Sequence, residues 1–260
     1  MREAVIVEAV RTPIARGKAS VGALSGIHAA ELMALSYRGL ISRSGLAYED
    51  IEEVVSGCVT QAGEQSGNIA RNAWLSMGEN YSTGASTIDT QCGSAQAANH
   101  MISSLIEAGR IKVGIAGGVE SMSRVGLGAN VVNGPGFFRP DNWPWDSVAG
   151  QFHAAERIAK NRELSRREVD EYACESQRRA RVAWDEGRFD REVLTVEAPV
   201  LSAEGDATGD TRSVTMDQGL RETSLQGLAE LPALVEGGIH TAGNSSQISD
   251  GSAAVLWMDR

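Results

Sequence analysis

The residue with the clearest capacity for chemistry is Cys92, which stands between a strand-like run and a segment of small residues. Residues 85–91 read Ala-Ser-Thr-Ile-Asp-Thr-Gln, and residues 93–99 read Gly-Ser-Ala-Gln-Ala-Ala-Asn. This order predicts a strand, a sharp turn and a helix with the thiol at its first turn. A helix N-terminus carries a partial positive charge and unpaired N–H groups, and both stabilise a thiolate. The pattern therefore fits an acyl-carrying nucleophile, but cysteine is also a common small core residue, and both interpretations stay open at this point.

The helix after Cys92 is predicted to be enclosed by protein, because glycine, serine and alanine lie on nearly every face of it as far as Gly109. The other two cysteines stand in different settings, Cys58 within an apolar strand pattern and Cys174 within a helical one. We therefore expect Cys92 to be the most reactive of the three thiols.

None of the four histidines is placed by the sequence to share a proton with Cys92. His100 comes eight residues later, which is about 12 Å along a helix axis and beyond hydrogen-bond reach. His28 begins a helix with a surface pattern and His153 lies in an irregular region, so both are interpreted as solvated or structural residues. No role is predicted for His240.

The composition is that of a globular protein and argues against several classes of function. The chain has 260 residues, of which 42% are hydrophobic and 22% are charged, enough for one large domain or two small ones. The net charge of -10 argues against nucleic acid as a partner. No apolar run approaches the ~20 residues that span a bilayer, so no membrane partner is expected. Three separated cysteines without a CxxC pair are typical of a reducing compartment, and we expect a cytoplasmic protein.

The first half of the chain alternates between strand and helix patterns, which is typical of βα units in an α/β fold. Helices are predicted at residues 28–42, at residues 67–77 and after Cys92. Strands are predicted at residues 4–10, 54–59, 85–90 and 112–116, the last one ended by the glycine pair 117–118.

The alternation breaks down between residues 120 and 244. Two helices are predicted there, at residues 152–160 and 166–186, the second capped by Ser165 with Glu168 three residues later. Residues 203–212 are polar and rich in glycine and aspartate, which predicts a surface loop. Residues 253–258 are apolar again and predict a buried strand.

Six short segments carry a resemblance to one enzyme family. They are residues 7–14 (Val-Glu-Ala-Val-Arg-Thr-Pro-Ile), 57–61 (Gly-Cys-Val-Thr-Gln), 92–97 (Cys-Gly-Ser-Ala-Gln-Ala), 116–123 (Ala-Gly-Gly-Val-Glu-Ser-Met-Ser), 241–246 (Thr-Ala-Gly-Asn-Ser-Ser) and 249–255 (Ser-Asp-Gly-Ser-Ala-Ala-Val). With these segments the chain resembles the thiolases, which make or cleave 3-ketoacyl-coenzyme A. The segments occur in the same order as in that family, and the resemblance extends from residue 2 to residue 258. Within the family, residues 63–66, 123–130 and 175–180 resemble the thiolases of steroid side-chain degradation.

The resemblance implies a thiolase-like α/β fold, namely the N-terminal βαβαβαββ half with a long insertion of helices and loops before its last strand. Residues 1–119 would form the N-terminal core. Residues 120–248 would form the insertion that covers coenzyme A, and residues 249–260 would add the last strand of the core.

The resemblance also implies which residues act. Cys92 matches the family's nucleophile, and its backbone N–H would be one donor to the oxyanion. Arg221 matches an arginine near the adenine end of coenzyme A, and Ala242, Gly243 and Ser246 match the segment that contacts the pantetheine arm. Coenzyme A is then expected as a co-substrate, with no permanently bound cofactor and no metal.

The acyl pocket is expected to be wide. Gly150-Gln151 stands where many short-chain thiolases have a His-Met pair, which leaves more room for a bulky acyl group. Met122 and the aromatic residues of 137–145 could line such a pocket, although ordinary packing explains them equally well.

The implied activity is thiolytic cleavage of an acyl-CoA substrate, a 3-ketoacyl-CoA from the β-oxidation of lipids or steroid side chains, through an acyl-enzyme on Cys92. One alternative is the reverse reaction, which forms acetoacetyl-CoA. A second is a non-catalytic half that binds coenzyme A esters beside another polypeptide. A third, a decarboxylating condensing enzyme, fits the degradative motifs least.

The second half of a complete thiolase has no counterpart in this sequence. Its Asn-Glu-Ala-Phe, Gly-His-Pro and Cys-Gly-Gly-Gly segments supply the activating histidine and the acid/base cysteine of the family, and none occurs here. We therefore expect the isolated chain to be inactive. We also expect a homo-oligomer, a dimer or a tetramer, or contact with a missing or cleaved C-terminal half.

Overall fold

The computed structural model describes residues 2–132 and 139–260 and divides into two units. The first unit comprises Met1–Gly134, Asp190–Gln218 and Ile248–Arg260, and the second comprises Pro135–Phe189 and Gly219–Gln247. Within the described ranges, every helix is too short or too polar to cross a membrane.

The first unit follows the predicted order of strands and helices. In chain order its elements are β1 (Ala4–Arg11), β2 (Ala15–Arg16), α1 (Ala29–Ser44), β3 (Glu53–Gly57), α2 (Ile69–Ser76), β4 (Gly84–Ile88), α3 (Ser94–Glu107), β5 (Val113–Ser121), β6 (Val196–Leu201), β7 (Ala207–Val214) and β8 (Ser249–Asp259). Short 3-10 helices lie at Tyr48–Asp50, Gly63–Gln65 and Ala129–Val131. Apart from the two-residue β2 and the pair β6–β7, this is the expected βαβαβαββ order, so the predicted fold class is confirmed.

The strands form a mixed sheet in the order β1-β8-β5-β3-β4, with β2 beside β8. β3 runs parallel to both β4 and β5, and β8 runs antiparallel to both β1 and β5. β5 is longer than predicted and continues through Gly117 and Gly118, which pair with Ser56 and Gly57 of β3. The glycine pair therefore does not end the strand. It removes side chains where another backbone passes close by.

Helices pack on both faces of this sheet and form a separate hydrophobic core on each face. α1 and α2 supply the larger core, in which Tyr37 and Trp74 are fully buried with ring centroids 6.0 Å apart. The Tyr37 hydroxyl lies 2.7 Å from the Ser56 hydroxyl of β3. α1 is thus a core helix, and the surface pattern attributed to it is wrong, because nine of its residues are buried.

α3 packs against Val55 and Ala116 of the sheet and forms a second, smaller hydrophobic core with them. Its buried residues are spaced four apart along one face: Ser94, Ala98, Ile102 and Ile106. The other faces are largely open to solvent in the described chain, and Met101 is 44% exposed. The prediction of a helix enclosed on all sides is therefore wrong for this chain, because small residues permit close packing but do not supply the partner that packs.

The polar segment at residues 203–212 is another correction. β7 begins at Ala207 and pairs antiparallel with β6, so the predicted surface loop is mostly the second strand of a hairpin. Ser202 donates its N–H to the Asp206 carbonyl at 2.8 Å, and Gly205 takes a φ of 94° in the turn. Alternation is hard to see in β7 because most of its side chains face solvent. The hairpin belongs to the first unit, whereas the predicted insertion of residues 120–248 included it.

The second unit is mainly helical, with α4 (Gln151–Asn161), α5 (Arg166–Asp185) and α6 (Leu225–Ala229). The predicted cap of α5 is confirmed, because Ser165 accepts from the Glu168 N–H while the Glu168 carboxylate accepts from the Ser165 N–H at 2.7 Å. α4 is one residue longer at each end than the predicted helix at residues 152–160. α5 begins at the predicted residue and ends one residue before the predicted end at residue 186.

We predict that Gly57→Ala destabilises the first unit. A Cβ at this position would lie 2.6 Å from the Ala95 nitrogen and from Ser94, which are backbone or first-turn atoms that cannot move away freely. Forced overpacking of this kind lowers the free energy of unfolding by about 1–3 kcal/mol. The control is Gly126→Ala, where a Cβ would meet nothing within 4 Å. Urea unfolding curves measure both variants, and equal stabilities would contradict the close approach of α3 to β3.

Candidate active site

Cys92 lies in a tight turn between β4 and α3. β4 ends at Ile88, Gly93 is the N-cap of α3, and Ser94 is its first residue, so the predicted strand, turn and helix are all present. The Cys92 thiol is exposed, whereas Ser94 two residues later is buried. We call residues 89–94 the Cys92 turn.

The Cys92 turn is held by hydrogen bonds on both sides of the cysteine. Gly93 and Ser94 donate their N–H groups to the carbonyls of Thr90 and Gln91, at 3.3 and 3.0 Å. The Asp89 carboxylate accepts from the Gln91 N–H at 2.7 Å. Gln91 has a φ of 56°, a left-handed conformation that few residues other than glycine adopt and that persists only where surrounding bonds require it.

The Ser94 side chain adds two more bonds to the same turn. Its hydroxyl donates to the Gln91 carbonyl at 2.5 Å and accepts from the Thr90 N–H at 2.9 Å. The start of α3 rests on glycines of the sheet, since a Cβ on Gly118 would lie 3.0 Å from the Ala95 Cβ. The turn is therefore fixed both by hydrogen bonds from its own side chains and by the close packing of α3 against the sheet.

A second polar network fixes the segment that follows β3. The Glu120 carboxylate, near the end of β5, accepts from the N–H groups of Val59 and Thr60 at 3.0 and 3.2 Å. Gln65, which is fully buried, donates its amide to Glu120 and accepts from the Ser121 N–H at 2.7 Å. These bonds hold the segments after two parallel strands at the same edge of the sheet as the Cys92 turn.

The other two thiols are disfavoured as nucleophiles. Burial, together with the charges of Glu120 and Asp89, raises the pKa of Cys58 to about 12. The pKa of Cys174 is raised by burial and by Asp170 and Glu171 nearby. Both groups therefore remain protonated at neutral pH, and neither is suited to attack a carbonyl.

The two histidines of the first unit hold structural or surface positions. His28 is the N-cap of α1, and its Nδ1 accepts from the Ala30 N–H at 3.2 Å. His100 is exposed on α3, six residues after the end of the Cys92 turn. Among the described residues of this unit, neither histidine donates to or accepts from Cys92.

The four residues predicted to contact coenzyme A belong to the second unit. Arg221 is exposed, and its guanidinium lies 3.5 Å from the Gly243 carbonyl, so these two positions are brought together. Ala242 and Ser246 are exposed on the same segment. A Cβ on Gly243 would lie 2.4 Å from the end of the Leu228 side chain, which would have to shift to make room for it.

A buried turn shapes that segment. The side-chain Oδ1 of Asn244 accepts from the Thr241 N–H at 2.8 Å, and Thr241 is fully buried. The Asn244 amide donates to Asp170 of α5 at 2.8 Å, and Asp170 is paired with Arg166 at 2.8 Å. The predicted coenzyme-binding segment is thus anchored to a helix rather than held as an open loop.

His240, for which no role was predicted, is paired with a carboxylate. Its Nδ1 and its backbone N–H both lie 2.9 Å from Glu156 Oε1, and Ile239 donates its N–H to the same carboxylate at 3.0 Å. Burial would raise the pKa of Glu156, but these hydrogen bonds hold it below its usual range. The pair fixes the start of the 241–246 segment on α4.

The residues proposed for an acyl pocket are only partly described. Met122 is half-buried in the first unit, where its sulfur accepts from the Ser249 N–H at 3.4 Å. Trp143 and Trp145 are exposed in the second unit. Residues 137 and 138 lie outside the described residues.

Sequence reasoning missed Ser94, Asp89 and the Glu120–Gln65 pair as supports of the site. Asp89 had a readable signal, because aspartate one residue after a strand often accepts from the backbone two residues on. Ser94 had a weaker signal, a small polar residue at the first helical position. Gln65 had none, since its partners lie in other strands and loops.

Comparison with known proteins agrees with this architecture. The family model for the thiolase N-terminal domain matches residues 4–260. The steroid 3-ketoacyl-CoA thiolase FadA6 of Mycobacterium tuberculosis is 39% identical over 98% of this chain and 62% of its own length. The 3-ketoacyl-CoA thiolases of Bacillus subtilis and Photobacterium profundum are 35% and 36% identical, over 66% and 65% of their lengths. The chain thus spans under two thirds of each of these relatives.

The order of the strands, the thiol at the start of α3 and the family match all agree on one assignment. The chain belongs to the thiolase family and corresponds to the thiolase N-terminal domain.

Proposed function

We propose that this chain supplies the nucleophile of an enzyme that cleaves 3-ketoacyl-coenzyme A by thiolysis. The observation that carries the proposal is the exposed Cys92 thiol at the hydrogen-bonded start of α3. The raised pKa values of Cys58 and Cys174 disfavour the other two thiols. The names of the relatives support it, since three of them are called 3-ketoacyl-CoA thiolases, one of them a steroid thiolase.

In the proposed reaction the Cys92 thiolate attacks the 3-keto carbonyl carbon and forms a carbon–sulfur bond. The bond between carbons 2 and 3 then breaks, and the leaving carbanion takes up a proton to give acetyl-CoA when two carbons are removed. The thiol of a second coenzyme A attacks the acyl-cysteine and carries the shortened acyl group away, which returns the Cys92 thiol. The Cys92 backbone N–H would donate to the oxyanion in these steps.

Coenzyme A would be the co-substrate, held by the second unit. The exposed Arg221 guanidinium is suited to a phosphate, because arginine forms charge-assisted hydrogen bonds to phosphate oxygens. Ala242, Gly243 and Ser246 present exposed or half-exposed backbone and a hydroxyl, which are groups that can bond the amides of a pantetheine arm. No metal or permanently bound cofactor enters this scheme.

The proposed substrates are 3-ketoacyl-CoA esters with bulky acyl groups, such as steroid side chains. This rests on the similarity to a steroid thiolase and on Gly150-Gln151 at the start of α4 in place of a His-Met pair.

The proposed enzyme also depends on protein that lies outside this chain. The open faces of α3 and the absence of a histidine bonded to Cys92 in the described first unit support such a dependence. Either a homo-oligomer or a second polypeptide would supply the cover. A coenzyme-ester binding half without catalysis is therefore the second candidate, and an activity assay with and without the C-terminal half of a thiolase separates the two.

We predict that Cys92 is alkylated first. At neutral pH iodoacetamide should label Cys92 ahead of Cys174, and Cys58 should react only near pH 12 or after unfolding, because alkylation requires the thiolate. Peptide mapping by mass spectrometry after a short exposure measures the three yields. Preferential labelling of Cys58 or Cys174 in the folded protein would remove Cys92 from its proposed role.

We predict that Arg221→Ala weakens coenzyme A binding by about 1–3 kcal/mol, the size of a hydrogen bond to a charged group. Arg221→Lys keeps a positive charge and should lose less. Arg167→Ala is the matched control, since Arg167 is an exposed arginine of the same unit that pairs with Glu171 at 2.7 Å. Calorimetry at low salt measures all three affinities, and unchanged binding by Arg221→Ala would exclude this arginine from the site.

We predict that residues 1–260 alone do not turn over a 3-ketoacyl-CoA. Each general acid–base step contributes about 10²–10⁴-fold, and no histidine of the first unit reaches Cys92 in the described residues. The assay follows cleavage of a 3-ketoacyl-CoA by protein whose intact mass shows that it ends at Arg260, with an intact thiolase as the positive control. Turnover near that of the control would mean that this chain contains an acid/base that we did not identify.

A further inference from the structure

We propose that Ser94 is a positioning residue for the Cys92 thiol: its buried hydroxyl holds the Cys92 turn so that the thiolate stays at the start of α3. This inference rests on the proposed role of Cys92 as the nucleophile. Ser94 itself touches neither substrate nor thiol in this scheme and acts only through the backbone on either side of Cys92.

The hydroxyl of Ser94 makes one bond as a donor and one as an acceptor, both to residues that precede Cys92. It donates to the Gln91 carbonyl at 2.5 Å and accepts from the Thr90 N–H at 2.9 Å. A single hydroxyl therefore ties the first turn of α3 back to the end of the preceding segment. The cysteine lies inside the loop that these two bonds close.

Burial gives these bonds their strength. Ser94 is 4% exposed, although Gln91, Cys92 and Gly93 beside it are exposed. Water does not compete well for a hydroxyl in this position. If the hydroxyl were removed, the Thr90 N–H would lose its bond, and the Gln91 carbonyl would keep only its bond to the Ser94 N–H. Ser94 lies against Gly57, where a Cβ would come within 2.6 Å of it, so its own place is fixed by the sheet.

The backbone at Gln91 needs such a restraint. Its φ of 56° is a conformation that this residue type seldom adopts, and its carbonyl accepts both the hydroxyl and the N–H of Ser94. Without the hydroxyl we expect the turn to relax toward ordinary backbone angles. Cys92 would then move away from the start of α3, and a helix N-terminus is where a negative charge is favoured.

The experiment measures alkylation of Cys92 in Ser94→Ala at neutral pH, with Cys174 of the same protein as the internal reference. We expect the Cys92 rate to fall about two- to five-fold, the size of a helix-terminus interaction with a charge, while the Cys174 rate stays unchanged. A purely structural role would leave the Cys92 rate unchanged, because this thiol is already exposed in the folded protein, and would show only as a lower thermal midpoint. Thermal midpoints are recorded for every variant.

Ser103→Ala is the matched control. The Ser103 hydroxyl also donates to the carbonyl three residues earlier in α3, His100, at 3.1 Å, but far from the turn. Its removal should leave the Cys92 rate unchanged. If Ser94→Ala loses its cooperative thermal transition, the pair Ser94→Thr and Ser94→Val replaces it, since the two differ only in the hydroxyl, and the valine variant should be the slower by the same factor.

A Cys92 rate in folded Ser94→Ala equal to or above that of the unaltered protein would overturn the proposal, as would equal rates in the threonine and valine variants. The outcome is distinct from a failure of the proposed function. Alkylation needs no acyl-CoA, so a slowed rate in a protein that never forms an acyl-enzyme would leave the positioning role intact and remove only the thiolase activity.

Discussion

The close approach of α3 to the central sheet is the constraint on which the rest of the candidate site depends. Gly57 of β3 and Gly118 of β5 leave no room for a Cβ beneath Ser94 and Ala95. On β8 of the same sheet, Trp257 donates to Asn99 of α3 at 2.7 Å. Contacts with three strands therefore fix the position of α3, and the Cys92 turn is fixed with it because it leads directly into the helix.

The same edge of the sheet gathers the polar supports. β3, β4 and β5 are parallel, so the segments that follow them emerge at one end, which is where functional residues collect in α/β folds. Glu120 and the buried Gln65 fasten the segment after β3, and Asp89 with Ser94 fastens the segment after β4. Two neighbouring loops are thus held rigid by side chains that do no chemistry.

Much of this architecture could be read from the sequence, and the exceptions have physical causes. The strands and helices of the βα units were predicted because their apolar residues repeat at distinct periods. The start of α5 was predicted from the capping residues Ser165 and Glu168. The hairpin of β6 and β7 escaped notice because its outer strand buries little. The open faces of α3 could not be foreseen, since composition tells how closely a helix can pack but not which protein covers it. Ser94 and Gln65 act through contacts between distant segments, which no local pattern encodes.

The position of β8 has a consequence for how the chain reaches this fold. β8 follows β5 by more than a hundred residues, yet it lies between β5 and β1 and pairs with both. Until it arrives, β1 has no neighbour in the sheet, and the two open strand edges face each other across a gap. Contacts so distant in sequence form slowly, and unpaired edges invite association with other chains. During synthesis on the ribosome, β1 therefore has no partner strand in this sheet until β8, at residues 249–259, has been made, and its edge is open to other chains in that interval.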